Sequence, residues 1–594
     1  YAVTTLGAAA GVMITASHNP LEYNGWKYAT ANSYARERFV QGGSVLSAAQ
    51  MKRLIKKTRD FLKRAQRRPG HLQQMMGDAE CADEAARIMA SSQSEADFET
   101  AIEGYVQELR DFLGDVDRSI IFINDHNGGA AARVVDEVLK RLGFKNVISL
   151  NGTLGEPGHK ILPEGAGIGE DADNPDHNAY IHIVAELARQ KGCAQIAIVY
   201  DFDADRGNFV LITPEGEIVE LSPQDVAAFN VAIELCRFQS FDRASYPRGL
   251  AIVGNCATSA KTKEVAQIFG AAYFTVEVGE VNLVAKAAQL ESQGYFVPLS
   301  VEGSNGGTVF RGARCRDGLQ TLLSVARILS DRELAERLMK ALGQESPEGR
   351  APQLAELVRA LPPYTTIMDK VFGSTADPLA FKVLMERAAL GRIVPEGDGY
   401  RISGADLWYS DVQVEYSGET EVSRRPLLDG APGKGLVEEF LTGGWSLRLT
   451  RPDGRESTAW VRASKSEAGV FNQMADAFDK AEAEALFGLL KDLFRAAEDD
   501  GEAGQTLVEY GILTGIGSAV AILIMAGLHF GWPVLAGLGL VVSLAALSAA
   551  HESEAAPTIM LREEDVEGTV AELIEQLSWS DNKEAIEQLV QEGM

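Results

Sequence analysis

Cysteine is scarce and unpaired in this chain. The 594 residues hold five, Cys81, Cys193, Cys236, Cys256 and Cys315, far apart and with no C-x-x-C pair. An odd, scattered set excludes a disulfide framework and a cysteine zinc site, and reads as reduced thiols in a cytosol. Positive charge is also in deficit: 56 Lys and Arg face 84 Asp and Glu, a net charge of −28. Such a chain repels a polyanion unless a local basic face overrides the mean, so nucleic acid is not an expected partner. There is no fixed-period repeat. No charged-then-apolar signal peptide follows Tyr1, and the start reads as the middle of a domain, so a truncated or processed first domain is expected. With 46% hydrophobic and 24% charged residues the composition is ordinary globular usage. At roughly 150 residues per domain the length suggests about four domains.

The chain alternates between helix and strand patterns. Ala9–Thr15 is short and apolar, as a buried strand is, and runs into the turn Ala16-Ser17-His18-Asn19-Pro20. Met51–Arg68 reads as a basic helix and Pro69–Ser94 as a linker. A basic helix face attracts phosphorylated ligands or is simply solvated. Ser119–Ile123, Asn146–Leu150 and Gln195–Tyr200 read as strands separated by helices Ala130–Leu142 and Ala179–Lys191. The rhythm returns in strands Leu250–Val253, Ala272–Val276 and Tyr295–Val301, with helices Ala260–Phe269, Leu283–Gln293 and Gly318–Leu329. This βαβ alternation predicts mainly parallel sheets covered by helices. Gln344–Pro363 reads as a boundary, and Tyr364–Leu449 as short strands and turns.

Gly511–Ala550 contains no Asp, Glu, Lys or Arg. Its halves Ile512–Phe530 and Val534–Ala550 are split by Gly531-Trp532-Pro533, which predicts a transmembrane hairpin or a span plus a re-entrant segment. Lys491, Arg495 and Arg562 flank it and would put both ends in the cytoplasm, so the expected location is a cytoplasmic catalytic region anchored to a membrane through 511–550.

Four loops carry chemistry. Asp201, Asp203 and Asp205 share one turn after an apolar strand, with Arg206 next to them. The carboxyl end of a strand is where α/β sheets bind ligands. Three clustered carboxylates repel one another unless a cation sits among them, and hard oxygen donors suit Mg²⁺. An acidic surface turn is the plain alternative. Ser17 lies in a tight loop beside His18, with Lys27 ten residues on, a setting for a nucleophile or for an ordinary polar loop. Glu302-Gly303-Ser304-Asn305-Gly306-Gly307 offers a carboxylate and a hydroxyl suited to sugar hydroxyls, or is a glycine turn. Arg451, Gly454 and Arg455 lie in a loop that suits a phosphate, or in a hairpin turn.

The order of these loops resembles the α-D-phosphohexomutases, the phosphoglucomutase and phosphomannomutase superfamily. The matching motifs are Thr15-Ala16-Ser17-His18-Asn19-Pro20, Asp201-x-Asp203-x-Asp205-Arg206, Glu302-x-Ser304 and Arg451-x-x-Gly454, with Arg316-Asp317-Gly318 between the last two. The resemblance implies three related mixed α/β domains and a smaller α+β domain around a cleft. On that basis domain 1 is 1–101, domain 2 is 102–215, domain 3 is 216–343 and domain 4 with a linker is 344–498. A hydrophobic helical hairpin and acidic tail would fill 499–594. The resemblance implies that Ser17 carries the phosphoryl group and joins Asp201, Asp203 and Asp205 around one Mg²⁺. It ties His18 and Lys27 to proton transfer, and Arg206 to the reacting phosphate. It assigns Glu302, Ser304 and Asn305 to the sugar, and Arg451, Gly454 and Arg455 to the non-reacting phosphate. The implied reaction moves phosphate reversibly between the 1- and 6-positions of a hexose, through a hexose 1,6-bisphosphate that also serves as activator.

Two departures stand out. Asp453, Arg455 and Ser457 replace the family's Ser, Thr and Pro in the phosphate loop, and Gly307 stands where many members have a histidine. Gly504–Tyr510 resembles the processing site of Flp-type pilins. The rival readings are a catalytically impaired, membrane-tethered protein that binds sugar phosphates, and a phosphatase-like enzyme that loses the phosphoryl group to water.

Overall fold

The computed structural model describes residues 2–8, 10–15, 25–30, 45–46, 48–66, 87, 95–158, 187, 189, 196–213, 215–373, 378–404, 407–441, 443–464 and 469–499. The chain divides into two units, 1–47 with 83–500, and 48–82 with 501–594. In the second unit the described element is a helix, Ala48–Gln66, close to the expected basic helix. Its Lys52, Arg53, Lys56 and Lys57 are exposed, as a solvated face requires. The expected helix Ala179–Lys191 lies largely outside the described residues, and the hairpin 511–550 lies wholly outside them.

In the first unit, strands β1 (Ala10–Thr15) and β2 (Gly25–Thr30) form an antiparallel pair, with Thr15 opposite Gly25. The sequence predicts a buried strand here. Instead Val12, Met13 and Ile14 are exposed: among the described residues the one strand that pairs with β1 is β2.

The next sheet has the order β4-β3-β5-β6-β7, from β3 (Ile121–Asp125), β4 (Asn146–Leu150), β5 (Ile196–Tyr200), β6 (Gly207–Ile212) and β7 (Ile218–Glu220). Strands β4, β3 and β5 are parallel, as the βαβ rhythm predicts, while β6 and β7 return antiparallel. β5 is buried along its whole length, which suits a central strand of continuous apolar residues.

The third sheet is built on β8 (Gly249–Asn255), with β9 (Ala272–Val276), β10 (Tyr295–Phe296) and β11 (Leu299–Glu302) parallel to it and β12 (Gly307–Phe310) antiparallel to β11. The single strand expected over Tyr295–Val301 is two strands. Pro298 has no amide hydrogen for the ladder and marks the break. The helix Pro223–Arg237 is buried nearly all round and is capped by Ser222, whose hydroxyl accepts from the Asp225 amide. Its Val226, Phe229 and Ile233 join Phe122 and Phe209 of the preceding sheet and Ile252 and Leu299 of this one in one hydrophobic core.

The expected boundary 344–363 contains a short helix, Leu354–Arg359, held by a capping box between Gln353 and Glu356. Beyond it lies a six-stranded antiparallel sheet, β13-β21-β20-β19-β17-β18. Its strands are β13 (Thr365–Phe372), β17 (Asp411–Ser417), β18 (Val422–Pro426), β19 (Trp445–Thr450), β20 (Glu456–Ala463) and β21 (Val470–Ala477). A small sheet, β14 (Ile393–Glu396), β15 (Gly399–Ile402) and β16 (Trp408–Tyr409), stands beside it in sequence. Helices Pro378–Leu390 and Lys480–Asp499 supply the other half of this core, through Phe381, Leu486, Leu490 and Phe494.

The expected membrane-anchored location is corrected. Among the described residues no helix is long and apolar enough to cross a membrane.

Lys382 is 2% exposed, and its ammonium donates to the carbonyls of Phe440 and Leu441. Burial lowers its pKa to about 8, with Glu277 pulling the other way. An unfolded lysine titrates near pH 10.4, so between about 8 and about 10.4 the unfolded chain binds more protons and stability from this site rises with pH. Urea unfolding across this range is expected to show that rise in the wild type and its loss in Lys382→Met. Parallel curves for the two proteins would contradict it.

Candidate functional site

The aspartate turn follows β5 directly, so the strand end fixes its place. Ligand atoms of Asp201, Asp203 and Asp205 lie within 4.8 Å of one another. Ala204, between the last two, sits at φ +61°, a left-handed conformation that a non-glycine residue adopts only under constraint. The Gly318 amide donates to the Ala204 carbonyl at 3.3 Å. A Cβ at Gly318 would stand 3.0 Å from the carbonyl oxygens of Ala204 and Arg206, so any side chain there would have to push the turn's backbone away by a few tenths of an ångström.

Cations from three segments meet the turn. The Lys27 ammonium, on β2, lies 3.0 Å from Asp203 Oδ2 and 3.3 Å from Asp205 Oδ2. Arg206 Nε donates to Asp201 Oδ2 at 2.6 Å. Arg316 Nη2 donates to Asp205 Oδ2 at 2.6 Å. Thr15, at the end of β1, donates its hydroxyl to Asp203 Oδ2 at 3.0 Å. Both strands that flank the segment with Ser17 and His18 therefore reach the aspartates, β1 through its last residue and β2 through its third. Ser17 and His18 themselves lie outside the described residues.

The charges respond as these distances require. Burial alone would raise the Asp205 carboxyl, but Arg316, Lys27 and Arg206 override it and hold it well below the usual carboxylate range. Burial pushes the Asp201 carboxyl up, with Arg206 opposing and Asp205 and Asp203 adding to the rise. Burial would lower the Lys27 ammonium, yet Asp205 and Asp203 raise it well above its ordinary value.

Arg316 joins the aspartates to the glycine-rich loop. Its Nη1 donates to Glu302 Oε2, and its Nε lies 3.5 Å from Glu280 Oε2. Glu302 is 1% exposed. Its Oε1 accepts from Asn255 Nδ2 at 3.2 Å and from the Gly279 amide at 2.8 Å, and its Oε2 also accepts from Asn305 Nδ2 at 3.1 Å. These four donors fill the roughly four acceptor positions of a carboxylate. The Ser304 hydroxyl oxygen is buried with no hydrogen-bond partner among the described residues.

The loop of Arg451, Gly454 and Arg455 is the hairpin turn between β19 and β20. Gly454 takes φ +84° there, and the Arg451 amide donates to the Arg455 carbonyl at 2.8 Å. Arg451 Nη1 pairs with Glu482 and, at 3.3 Å, with Asp479 Oδ2. Arg455 lies 3.2 Å from Asp453 Oδ2 and stacks 3.7 Å from the Phe478 ring centre. No hydrogen bond or ion pair joins either arginine to the aspartates or to Glu302. The structure thus brings together Lys27, Asp201, Asp203, Asp205, Arg206, Glu302 and Asn305, and holds Arg451 and Arg455 on other carboxylates.

Sequence reasoning missed Arg316, Glu280 and Asn255 as site residues. Arg316 stood in a quoted motif, Arg316-Asp317-Gly318, and its position before a helix cap was the available signal. Glu280 and Asn255 carry none, since each joins the site only by folding.

The donor set fits a metal ion. Asp203 Oδ1 is buried with no hydrogen-bond partner among the described residues, a costly state unless a cation or donor reaches it, while Asp205 Oδ1 lies 3.4 Å from Arg206 Nε. Asp203→Asn is expected to weaken Mg²⁺ binding by about tenfold or more, read by calorimetric titration. Arg316→Met strands buried carboxylates and is expected to cost about 3–5 kcal/mol in urea unfolding. A loss below 1 kcal/mol would show that Asp205 and Glu302 find other partners.

Comparison with known proteins adds the following. Residues 1–38 match the model of phosphoglucomutase/phosphomannomutase alpha/beta/alpha domain I, and residues 235–345 match that of domain III. A probable phosphoribomutase of Schizosaccharomyces pombe is 26% identical over 388 residues, covering 62% of this chain and 60% of that protein. A probable phosphoglucosamine mutase of Methanothermobacter thermautotrophicus is 26% identical over 380 residues, covering 62% and 63%. The chain thus spans about three fifths of the length of these relatives. Among solved structures, a phosphoglucomutase/phosphomannomutase family protein of Burkholderia thailandensis aligns over 83% of this chain and 77% of its own, at 18% identity and a TM-score of 0.46. The chain is thus similar to phosphoglucomutase/phosphomannomutase domains I and III over these two stretches, and to curated phosphomutases over about three fifths of their length.

Proposed function

We propose that this chain is a phosphohexomutase, an intramolecular phosphotransferase that moves phosphate between the 1- and 6-positions of a hexose by way of Ser17 and a hexose 1,6-bisphosphate. One observation carries the reading. Thr15, the last residue of β1, and Lys27, the third residue of β2, flank the loop that contains Ser17, and both bond to Asp203. Ser17 follows Thr15 by two residues, and two peptide units reach about 7 Å at most. A serine so tethered is within range of a metal held by the aspartates.

In this reading Asp201, Asp203 and Asp205 hold Mg²⁺, and the ion offsets charge on the transferring phosphoryl group. Phosphorylated Ser17 gives its phosphoryl group to the free hydroxyl of the sugar monophosphate, which forms the bisphosphate, and Ser17 Oγ then takes back the phosphoryl group from the other sugar oxygen. His18, next to it, exchanges the proton of the reacting hydroxyl. Lys27 stays protonated between two carboxylates, so its role is that of a fixed cation for phosphate oxygens rather than of a base. Arg206 is committed to Asp201 and holds that carboxylate in place. Ser304, with a hydroxyl oxygen unpaired among the described residues, meets the sugar, while Glu302 and Asn305 brace the loop. Domains 1–101, 102–215, 216–343 and 344–498 each supply one of the four loops.

One observation favours a second reading, a sugar-phosphate-binding protein without transfer. Arg451 and Arg455, assigned to the non-reacting phosphate, are already paired with Glu482, Asp479 and Asp453. The two readings separate cleanly. The full chain is assayed with glucose 1-phosphate or mannose 1-phosphate, Mg²⁺ and a catalytic amount of the bisphosphate. The mutase reading expects turnover that falls on the order of a hundredfold or more in Ser17→Ala and on chelation of the metal. Binding of sugar phosphate without turnover, and without phosphoserine in the intact mass, would establish the second reading. Release of free phosphate would instead mark a phosphatase.

A further inference from the structure

A cavity of about 210 Å³ lies between β9 and its flanking helices Ala260–Ile268 and Glu280–Ser292 on one side and strands β18, β19 and β20 on the other. Four cations line it, Lys263, Lys286, Arg424 and Arg448, against two carboxylates, Glu421 and Glu456. One more carboxylate, Glu415, is fully buried behind the wall and accepts from both Arg448, at 2.8 Å, and Arg424, at 2.9 Å. Two guanidinium groups share that single carboxylate, so four cations meet three anions. Arg424 Nη1 makes no hydrogen bond among the described residues and faces Glu456 Oε1 at 3.8 Å.

The two lysines are held by pairs that can open. Lys286 has a side chain 8% exposed, while its partner Glu421, at 2.7 Å, is 51% exposed. Lys263 pairs with Glu456 at 2.7 Å, and both are partly exposed. An ion pair with one half-solvated partner is weak. An incoming anion can replace Glu421 and leave that carboxylate in water, at little net cost. Ammonium and guanidinium donors converging on one space suit a tetrahedral oxyanion. The volume is below the roughly 300–1,000 Å³ of drug-sized pockets, which limits the occupant to a small molecule.

We propose that this cavity binds a small phosphate-bearing ligand, with Arg424 and Lys286 as its principal partners. Bound there, the ligand would clamp the β8 sheet to the six-stranded sheet. Asn255 lines the same cavity and donates to Glu302, so occupancy also bears on the glycine-rich loop. The site goes beyond the mutase reading and stands whether or not the chain turns over hexose phosphates.

The test is calorimetric titration of the full chain with inorganic phosphate and, in a second arm, glucose 6-phosphate, both at fixed ionic strength. Wild type is expected to bind phosphate. Arg424→Gln and Lys286→Gln are each expected to weaken it about tenfold, and by more than Asp203→Asn does. Glu415 keeps Arg448 in Arg424→Gln, so that variant is expected to fold. Tungstate soaked into crystals of the wild type should show its scattering beside Arg424 and Lys286. Tighter binding of glucose 6-phosphate that is lost in Arg424→Gln assigns a phosphorylated metabolite, and equal affinity in the two arms assigns free phosphate. The proposal falls if wild type shows no phosphate binding, if both variants bind like wild type, if only Asp203→Asn loses it, or if tungstate avoids the cavity.

Discussion

Three carboxylates in one turn set the terms for the rest of the first unit. Asp201, Asp203 and Asp205 share a space that leaves no way to avoid mutual repulsion. Buried charge is tolerable only when paired. The fold meets this by converging Lys27 from a hairpin, Arg206 from the turn itself and Arg316 from the approach to a helix. Arg316 then carries the constraint onward to Glu302 and Glu280. The aspartate turn and the glycine-rich loop are therefore held by one guanidinium, and the position of either depends on the other. The close approach of Gly318 to the turn's backbone belongs to the same arrangement.

A second set of buried polar contacts ties the β8 sheet to the six-stranded sheet. Glu277, 2% exposed, accepts from the Gly444 amide at 2.8 Å and from the Ser417 hydroxyl, and lies 3.2 Å from Arg462. Asp476 accepts from the Ala260 amide at 2.8 Å and from Thr366 at 2.6 Å. Such contacts are strongly directional, so they fix the register between the two sheets more than apolar packing alone would. The charged cavity sits in the same seam. It is a place where packing is incomplete although the pairing around it is dense.

Much of the secondary structure was legible from periodicity and punctuation. Asn146–Leu150 and Ala272–Val276 are strands at the expected bounds, and Ala260–Ile268 and Gly318–Ser330 are helices within one residue of theirs. The misses have local causes. Pro298 splits a strand that reads as continuous, and a capping box sets a helix inside a stretch rich in Pro and Gly. Val12 and Ile14 look like core because apolarity reports a preference for burial, and whether a strand is covered depends on which neighbours pair with it.

The sequence by itself determined the chemistry on offer: an acidic trio after a buried strand, a serine in a tight loop, a glycine-rich loop with a carboxylate, and the superfamily these resemble. Tertiary structure decided which of those groups are available. It set Lys27 against Asp203 across 176 residues and Arg316 against Asp205 across 111. It filled the acceptors of Glu302 and drew Arg451 and Arg455 onto carboxylates of their own region. The reason is range. Local patterns fix backbone conformation and the end of a strand, whereas the partner of a buried charge is chosen by which distant segments the fold brings within about 3 Å.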